Sequence, residues 1–124
     1  MRGERYITKP EQYALVYNRG RSWANGLVVM KSLPNGLALS RYGLSVSRRV
    51  GKAVVRNRVK RWLREILRPA PLWPGWDIIF IARPAAATNG YAGLNEAVSG
   101  LLARARLLRP QEEVASAGDR VVVD

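Results

Sequence analysis

The stretch that most constrains this chain is 52–68. Seven of its residues are Lys or Arg, a single acid (Glu65) stands among them, and neither Gly nor Pro interrupts the run. At about 100° per residue, Val55, Val59, Trp62, Leu63 and Ile66 gather on one side of a helix as a core-facing stripe. The other side collects Asn57, Lys60, Arg61, Arg64 and Arg68, with Arg56 and Arg58 on the flanks. Like charges at i,i+4 spacing cost a few tenths of a kcal/mol each when nothing offsets them. Solvated helix faces normally mix signs, so this one is missing a polyanion and reads as a surface for a phosphate backbone. Asn57 adds direction, because its amide both donates and accepts and can reach a base edge or a 2′-hydroxyl.

The whole chain carries the same bias. Twenty-one Lys and Arg against nine acids give a net charge of +12, which points to nucleic acid or an anionic membrane surface. No apolar run approaches the ~18 residues of a membrane span, and the first residues lack a signal-peptide core, so a soluble cytoplasmic protein is expected. At 124 residues and 48% hydrophobic content, one RNA-binding domain over 1–109 is expected. Residues 110–124 turn acidic and lose periodicity, and are expected to be a mobile tail.

Catalytic chemistry is hard to assemble from these residues. There is no His and no Cys, and Glu4, Glu11, Glu65, Asp77 and Glu96 are scattered. Phosphodiester hydrolysis usually needs a carboxylate-held metal pair or a base tuned near neutral pH. The segment Arg48-Arg49-Val50-Gly51-Lys52 lacks the first Gly and the Ser or Thr of a phosphate-binding loop. Binding, with no small-molecule substrate, is the expected role.

Along the chain, Thr8 as N-cap with Glu11 three positions on predicts a helix from about Lys9 to Arg19, stopped by Gly20 as its C′ residue. Tyr13 and Tyr17 share one face of it, as core rings or as a stacking platform for unpaired bases. The span from Ser22 to Leu33 reads as one or two strands, and Pro34-Asn35-Gly36 as a turn. A hairpin is expected there, with a return strand over 37–47 that alternates Tyr42, Leu44 and Val46 with Arg41, Gly43, Ser45 and Ser47. Asp77 to Ala82 is a continuous apolar strand suited to the centre of a sheet. Strand, basic helix, strand implies a parallel pair. Tyr91, Leu94, Val98, Leu101, Leu102, Ala105 and Leu108 trace the apolar stripe of a last helix.

Gly43-Leu-Ser-Val-Ser-Arg-Arg-Val-Gly-Lys-Ala-Val-Val-Arg-Asn-Arg-Val-Lys-Arg61 resembles the signature of the bacterial ribonuclease P protein component, whose Arg-Asn-Arg core matches Arg56, Asn57 and Arg58. The pattern from Tyr13 to Ser22 is similar to that family's first helix. The resemblance implies an α/β (α+β) sandwich with a small mixed four-stranded sheet and about three helices, in the order α-β-β-β-α-β-α. It also implies a left-handed β-α-β crossover, against the general right-handed rule. The function implied is that of the protein subunit of a ribonucleoprotein endonuclease that removes 5′ leaders from precursor tRNA. Mg²⁺ and the catalytic groups would lie in the RNA.

On this resemblance Arg48, Arg49, Arg56, Asn57, Arg58, Lys60, Arg61 and Arg64 would bind the catalytic RNA. A separate cleft with Tyr13, Tyr17, Lys31, Lys52 and Arg83 would hold the leader, on the opposite surface. The chain departs from the family where Tyr replaces the more usual Phe at positions 13 and 17, Lys31 stands where an aromatic is common, and Pro84 stands where Lys is common. Arg48 and Arg49 replace lysines, keeping charge but bringing forked geometry. Two rival readings remain: a ribosomal-type structural RNA-binding protein with no leader preference, and a protein-only nuclease, which the missing acid/base set opposes.

Overall fold

The computed structural model describes residues 5–110. Its elements are α1 (Pro10–Arg19), β1 (Arg21–Ala24), β2 (Val28–Pro34), β3 (Arg41–Ser45), α2 (Ala53–Leu67), β4 (Trp76–Ala82), a 3₁₀ turn (Pro84–Ala87) and α3 (Gly90–Arg104). The four strands form one mixed sheet in the order β1-β2-β4-β3. β4 runs antiparallel to β2 and parallel to β3, with α2 as the crossover between β3 and β4. The residues past 110, where an acidic tail was expected, lie outside the described part.

The expected hairpin between β2 and β3 does not form, because β4 lies between them. An apolar strand needs neighbours on both edges as well as cover on both faces, and β4 obtains both at that position. Asn35 ties the connection across the start of β4 instead of folding β2 back: its side-chain amide donates to Asp77 Oδ1 at 2.9 Å and its backbone N–H to Gly75 O at 2.8 Å. The actual hairpin joins β1 and β2, where Asn25 Oδ1 accepts from the N–H groups of Leu27 and Val28 at 3.0 Å each. β3 is shorter than expected, and among the described residues no strand of the sheet covers its edge away from β4, where the Tyr42 carbonyl accepts from Ile7 N at 3.0 Å.

Alternation along the strands divides the core. Ile78, Phe80 and Ala82 of β4, Val28 and Met30 of β2 and Tyr42 of β3 join Val59, Leu63, Ile66 and Leu67 of α2 and Leu94, Val98, Leu101 and Leu102 of α3. The opposite face carries a small cluster of Ile7, Val16 and Ile79, with Tyr13, Leu33 and Ile81 packed against it. The stripe predicted on α2 is therefore the buried one, with Val55 and Trp62 at its margin and Leu67 an additional member.

Both flanking helices differ from expectation at their ends. α1 starts one residue later than a Thr8 cap would give, since Pro10 takes the first helical position. Gln12, not Glu11, reaches back, its Oε1 accepting from Thr8 N at 3.3 Å and Lys9 N at 3.2 Å. Gly20 is extended, at φ −74°. Its lack of a side chain is needed because a Cβ would sit 2.5 Å from Val16 O and 2.9 Å from Ser32 O. α3 stops at Arg104, short of the predicted stripe, and Tyr91 stands 40% exposed on its first turn. Arg106 at φ 60° turns the chain, with Arg106 N donating to Ala103 O and Leu107 N to Leu102 O at 3.1 and 3.0 Å, and so drives Leu107 into the core.

Candidate nucleic-acid interface

α2 is launched by a turn in which Val50 N donates to Ser47 O and Gly51 N to Arg48 O, each at 3.1 Å. Arg48, Arg49 and Lys52 therefore crowd the first turn, which contains no acid of its own. The N-terminal end of a helix attracts anions, so both the helix and these cations favour a negative partner. Along the outer face Asn57, Arg61 and Arg64 are exposed, while Arg56, Arg58 and Lys60 are half-buried on the shoulders. Among the described residues the ion pair found is Arg41 with Asp77, at 2.8 Å, on a different element. The Nε atoms of Arg56 and Arg58 are buried without a hydrogen-bond acceptor among those residues. The guanidinium of Arg58 lies 5.4 Å from the centre of the Trp62 ring, which fixes its direction. The eight residues expected to meet a large RNA are thus gathered on α2 and the turn before it, with no acidic partner among the described residues.

The residues expected to form the second cleft are brought together more loosely. Tyr13 lies over Gly43, where a Cβ would come within 2.5 Å of its hydroxyl oxygen, so only glycine allows this approach. Burial raises the Tyr13 pKa above the usual phenol value, the nearby Tyr17 adds to the rise, and the Leu44 backbone N–H opposes it. Tyr17 remains 38% exposed. Lys31 shares the α1 face, in register with Ile79 and, through it, with Gly43. Because β3 and β4 are parallel, the chain leaves both at the same end of the sheet, so Lys52 and Arg83 stand on one rim, where ligands of open α/β sheets usually bind. Arg83 is pinned there, its backbone N–H donating to Leu27 O at 2.8 Å and its Nη1 to Asn25 O at 3.2 Å.

The two sets, expected on opposite surfaces, belong to helices on opposite faces of the sheet but meet at one place. A groove of about 980 Å³ runs along the free edge of β3, and Tyr13 lines it together with Lys60 and Arg64 of α2. The edge strand is narrow, so residues from both faces of the sheet meet around it. Arg5, Tyr6, Tyr42 and Arg68 also line it, beside Ile7, Gly43 and Leu44. Sequence reasoning put Arg68 on the cationic face of α2 but assigned Arg5, Tyr6 and Tyr42 to no site; the clue was the basic lead-in ahead of Tyr6. The Tyr6 and Tyr42 rings meet edge to face, with centroids 5.0 Å apart and planes at 69°. Burial, followed by the Tyr6 hydroxyl 3.5 Å away, pushes the Tyr42 pKa up to about 12, although Arg5 and Arg68 pull it down.

The described residues do not fit a divalent cation: no three His, Cys, Asp or Glu side chains converge. Asp77, the one buried carboxylate described, is engaged by Arg41 through Nε at 2.9 Å and Nη2 at 2.8 Å, and by Asn35. No described helix is long and apolar enough to cross a membrane.

The family model for Ribonuclease P matches residues 1–106. A ribonuclease P protein component of Dehalococcoides mccartyi strain CBDB1 is 49% identical over 110 residues, covering 89% of this chain and 92% of the relative. Among solved structures, the Staphylococcus aureus RNase P protein superposes with a TM-score of 0.78 at 30% identity, over 85% of this chain and 98% of that one. The RNase P protein from Thermotoga maritima gives 0.71 at 32% identity, over 80% and 96%.

Proposed function

The chain belongs to the ribonuclease P protein family, and from that premise we propose how it serves as the accessory subunit of the endoribonuclease that matures the 5′ end of tRNA. The catalytic groups and the Mg²⁺ reside in the RNA subunit, and this chain contributes by binding. The observation that carries the reading is the outer face of α2, a helix with seven cations from Lys52 to Arg68 and Asn57 at its centre. Arg48, Arg49, Arg56, Arg58, Lys60, Arg61 and Arg64 neutralise phosphates of the catalytic RNA. Asn57 supplies directional hydrogen bonds that fix the register.

The leader of precursor tRNA takes the α1 face of the sheet. Tyr17 and Tyr13 offer ring surface to its unpaired bases, while Lys31, Lys52 and Arg83 neutralise its backbone. Stacking of this kind tolerates any sequence, which suits a subunit that must accept many different leaders. The partly open Tyr17 ring and the pinned Arg83 support this assignment. The complex works in the cytoplasm, where precursor tRNA is made and processed.

The test is to add the chain to its cognate catalytic RNA at physiological Mg²⁺ and follow precursor tRNA cleavage. The proposal expects cleavage from the pair and none from the chain alone. Cleavage by the chain without RNA would reveal a protein nuclease. Tight binding to ribosomal RNA with no effect on cleavage would favour a structural ribosomal role.

A further inference from the structure

The groove at the free edge of β3 is more than an extension of the convex helix face. We propose that it seats one unpaired, unstacked nucleotide of the catalytic RNA, a role that rests on the docking of α2 described above. Lys60, Arg64 and Arg68 follow one another at i, i+4 and i+8 along one lip, about 6 Å apart in rise. A single strand laid along that lip can offer a phosphate to each of them. Arg5 supplies a cation from the N-terminal segment, and no carboxylate lines the space among the described residues.

Behind the cations the groove has an aromatic and backbone lining. Tyr6 is half-buried and packs edge to face on the buried Tyr42, so the Tyr6 ring is the one open to an incoming base, and the Tyr42 hydroxyl behind it donates to that of Tyr6 at 3.5 Å. Gly43 and Leu44 contribute part of the strand edge that no other described strand of the sheet covers. A volume of about 980 Å³ is at the upper end of small-ligand pockets, roughly 300–1,000 Å³. An RNA duplex keeps its bases stacked inside and presents only backbone to such a concavity, whereas a splayed nucleotide can place base and phosphate in it together. Of the three cations on the lip, Lys60 and Arg64 belong to α2 and Arg68 is its C-cap, so the occupant is continuous with the RNA that α2 holds.

Two measurements decide this. In the first, the isolated chain is titrated with an unstructured hexauridylate and, separately, with a short RNA duplex, following the ring resonances of Tyr6 and Tyr42. The single strand should shift both rings, with the Arg5→Ala/Arg68→Ala chain binding it about tenfold more weakly, while the duplex should leave the rings unmoved. Rings that ignore the single strand, or that respond equally to the duplex, overturn the groove. Both substituted side chains are exposed, and a matching melting curve checks that the variant folds.

In the second, 2′-hydroxyl acylation is mapped along the catalytic RNA in holoenzymes carrying wild-type or doubly substituted chain. One or two unpaired nucleotides should regain reactivity with the variant while protected helices stay protected. Loss spread evenly over helical backbone, loss confined to the leader of bound precursor tRNA, or no loss overturns the proposal. If the wild-type chain fails to bind the catalytic RNA, the docking of α2 falls and this source falls with it. The hexauridylate arm still judges the groove by itself.

Discussion

On the side of the sheet covered by α2 and α3, eighteen buried residues join in one core, whereas under α1 the buried cluster is Ile7, Val16 and Ile79. Two helices of 15 residues cover the first face, and one of 10 residues covers part of the second. Val29, Lys31, Ser45 and Ile81, which point to the α1 side, are left half-buried. The thick side holds the chain together and holds the rear of α2 still, so that its cations face outward from a rigid base. The thin side can stay unfinished because the fold does not depend on completing it, and an unfinished face is free to take a ligand.

Substitutions at adjacent positions of β4 would break this contrast first. Phe80→Ala, on the thick side, should cost about 3–5 kcal/mol in urea unfolding, and Ile81→Ala, one residue on but facing α1, less than half of that. Equal losses would mean that the two faces share the stability. The second pair lies on α2: Val59→Ala should lose about 1–3 kcal/mol of folding free energy. Asn57→Ala should keep its melting temperature but lose about 1–3 kcal/mol of affinity for the catalytic RNA. If Asn57→Ala melts as early as Val59→Ala and still binds normally, the polar face is a structural one.

Tyr17→Ala tests the thin side alone. Holoenzyme with this change should bind precursor tRNA about five- to a hundredfold more weakly and bind mature tRNA as before, since stacking is worth about 1–3 kcal/mol per base. Equal losses for both tRNAs would move Tyr17 out of the leader cleft. Tyr13 is the less clean probe, because it lines the β3 groove as well. At the far end of the thick side, Arg106→Gly should raise stability by about 0.5–1 kcal/mol by relieving a positive φ, with no change in RNA affinity; a loss would show that the Arg106 side chain has a use of its own.

The smallest expected effect is in alkali. The folded protein holds the Tyr42 proton more tightly than the unfolded chain does, so its contribution is complete below pH 10 and fades as pH rises toward about 12. Tyr42→Phe should flatten that decline in the unfolding free energy, and an unchanged slope would assign the decline to other groups.

Much of this was legible in the sequence, and for a physical reason. A 3.6-residue period over 17 positions with uninterrupted cations fixes both faces of α2 at once, and the apolar run after Trp76 can sit only at a sheet centre. Strand order was not legible, because Pro34-Asn35-Gly36 has the chemistry of a hairpin turn whether or not another strand later intervenes. Helix ends were misjudged where a long-range contact decided them: Gly20 is required by the carbonyl of Ser32, and Leu107 is brought in by Arg106. Arg5 and Tyr6 escaped notice because their importance comes from lying beside Tyr42, 36 residues further on for Tyr6, and no local pattern encodes that.

The position of β4 also governs the order of events during synthesis. A nascent chain completes β2 at Pro34 and β3 at Ser45, yet the strand that joins them is finished only at Ala82. Until then the β1–β2 hairpin stands alone, and a two-stranded hairpin is marginal in water. Met30 and Leu44 must both wait for Phe80, so the sheet has a high contact order and closes late. A chain released before Ala82 has a cationic helix with no floor to rest on, and two strands that cannot use each other.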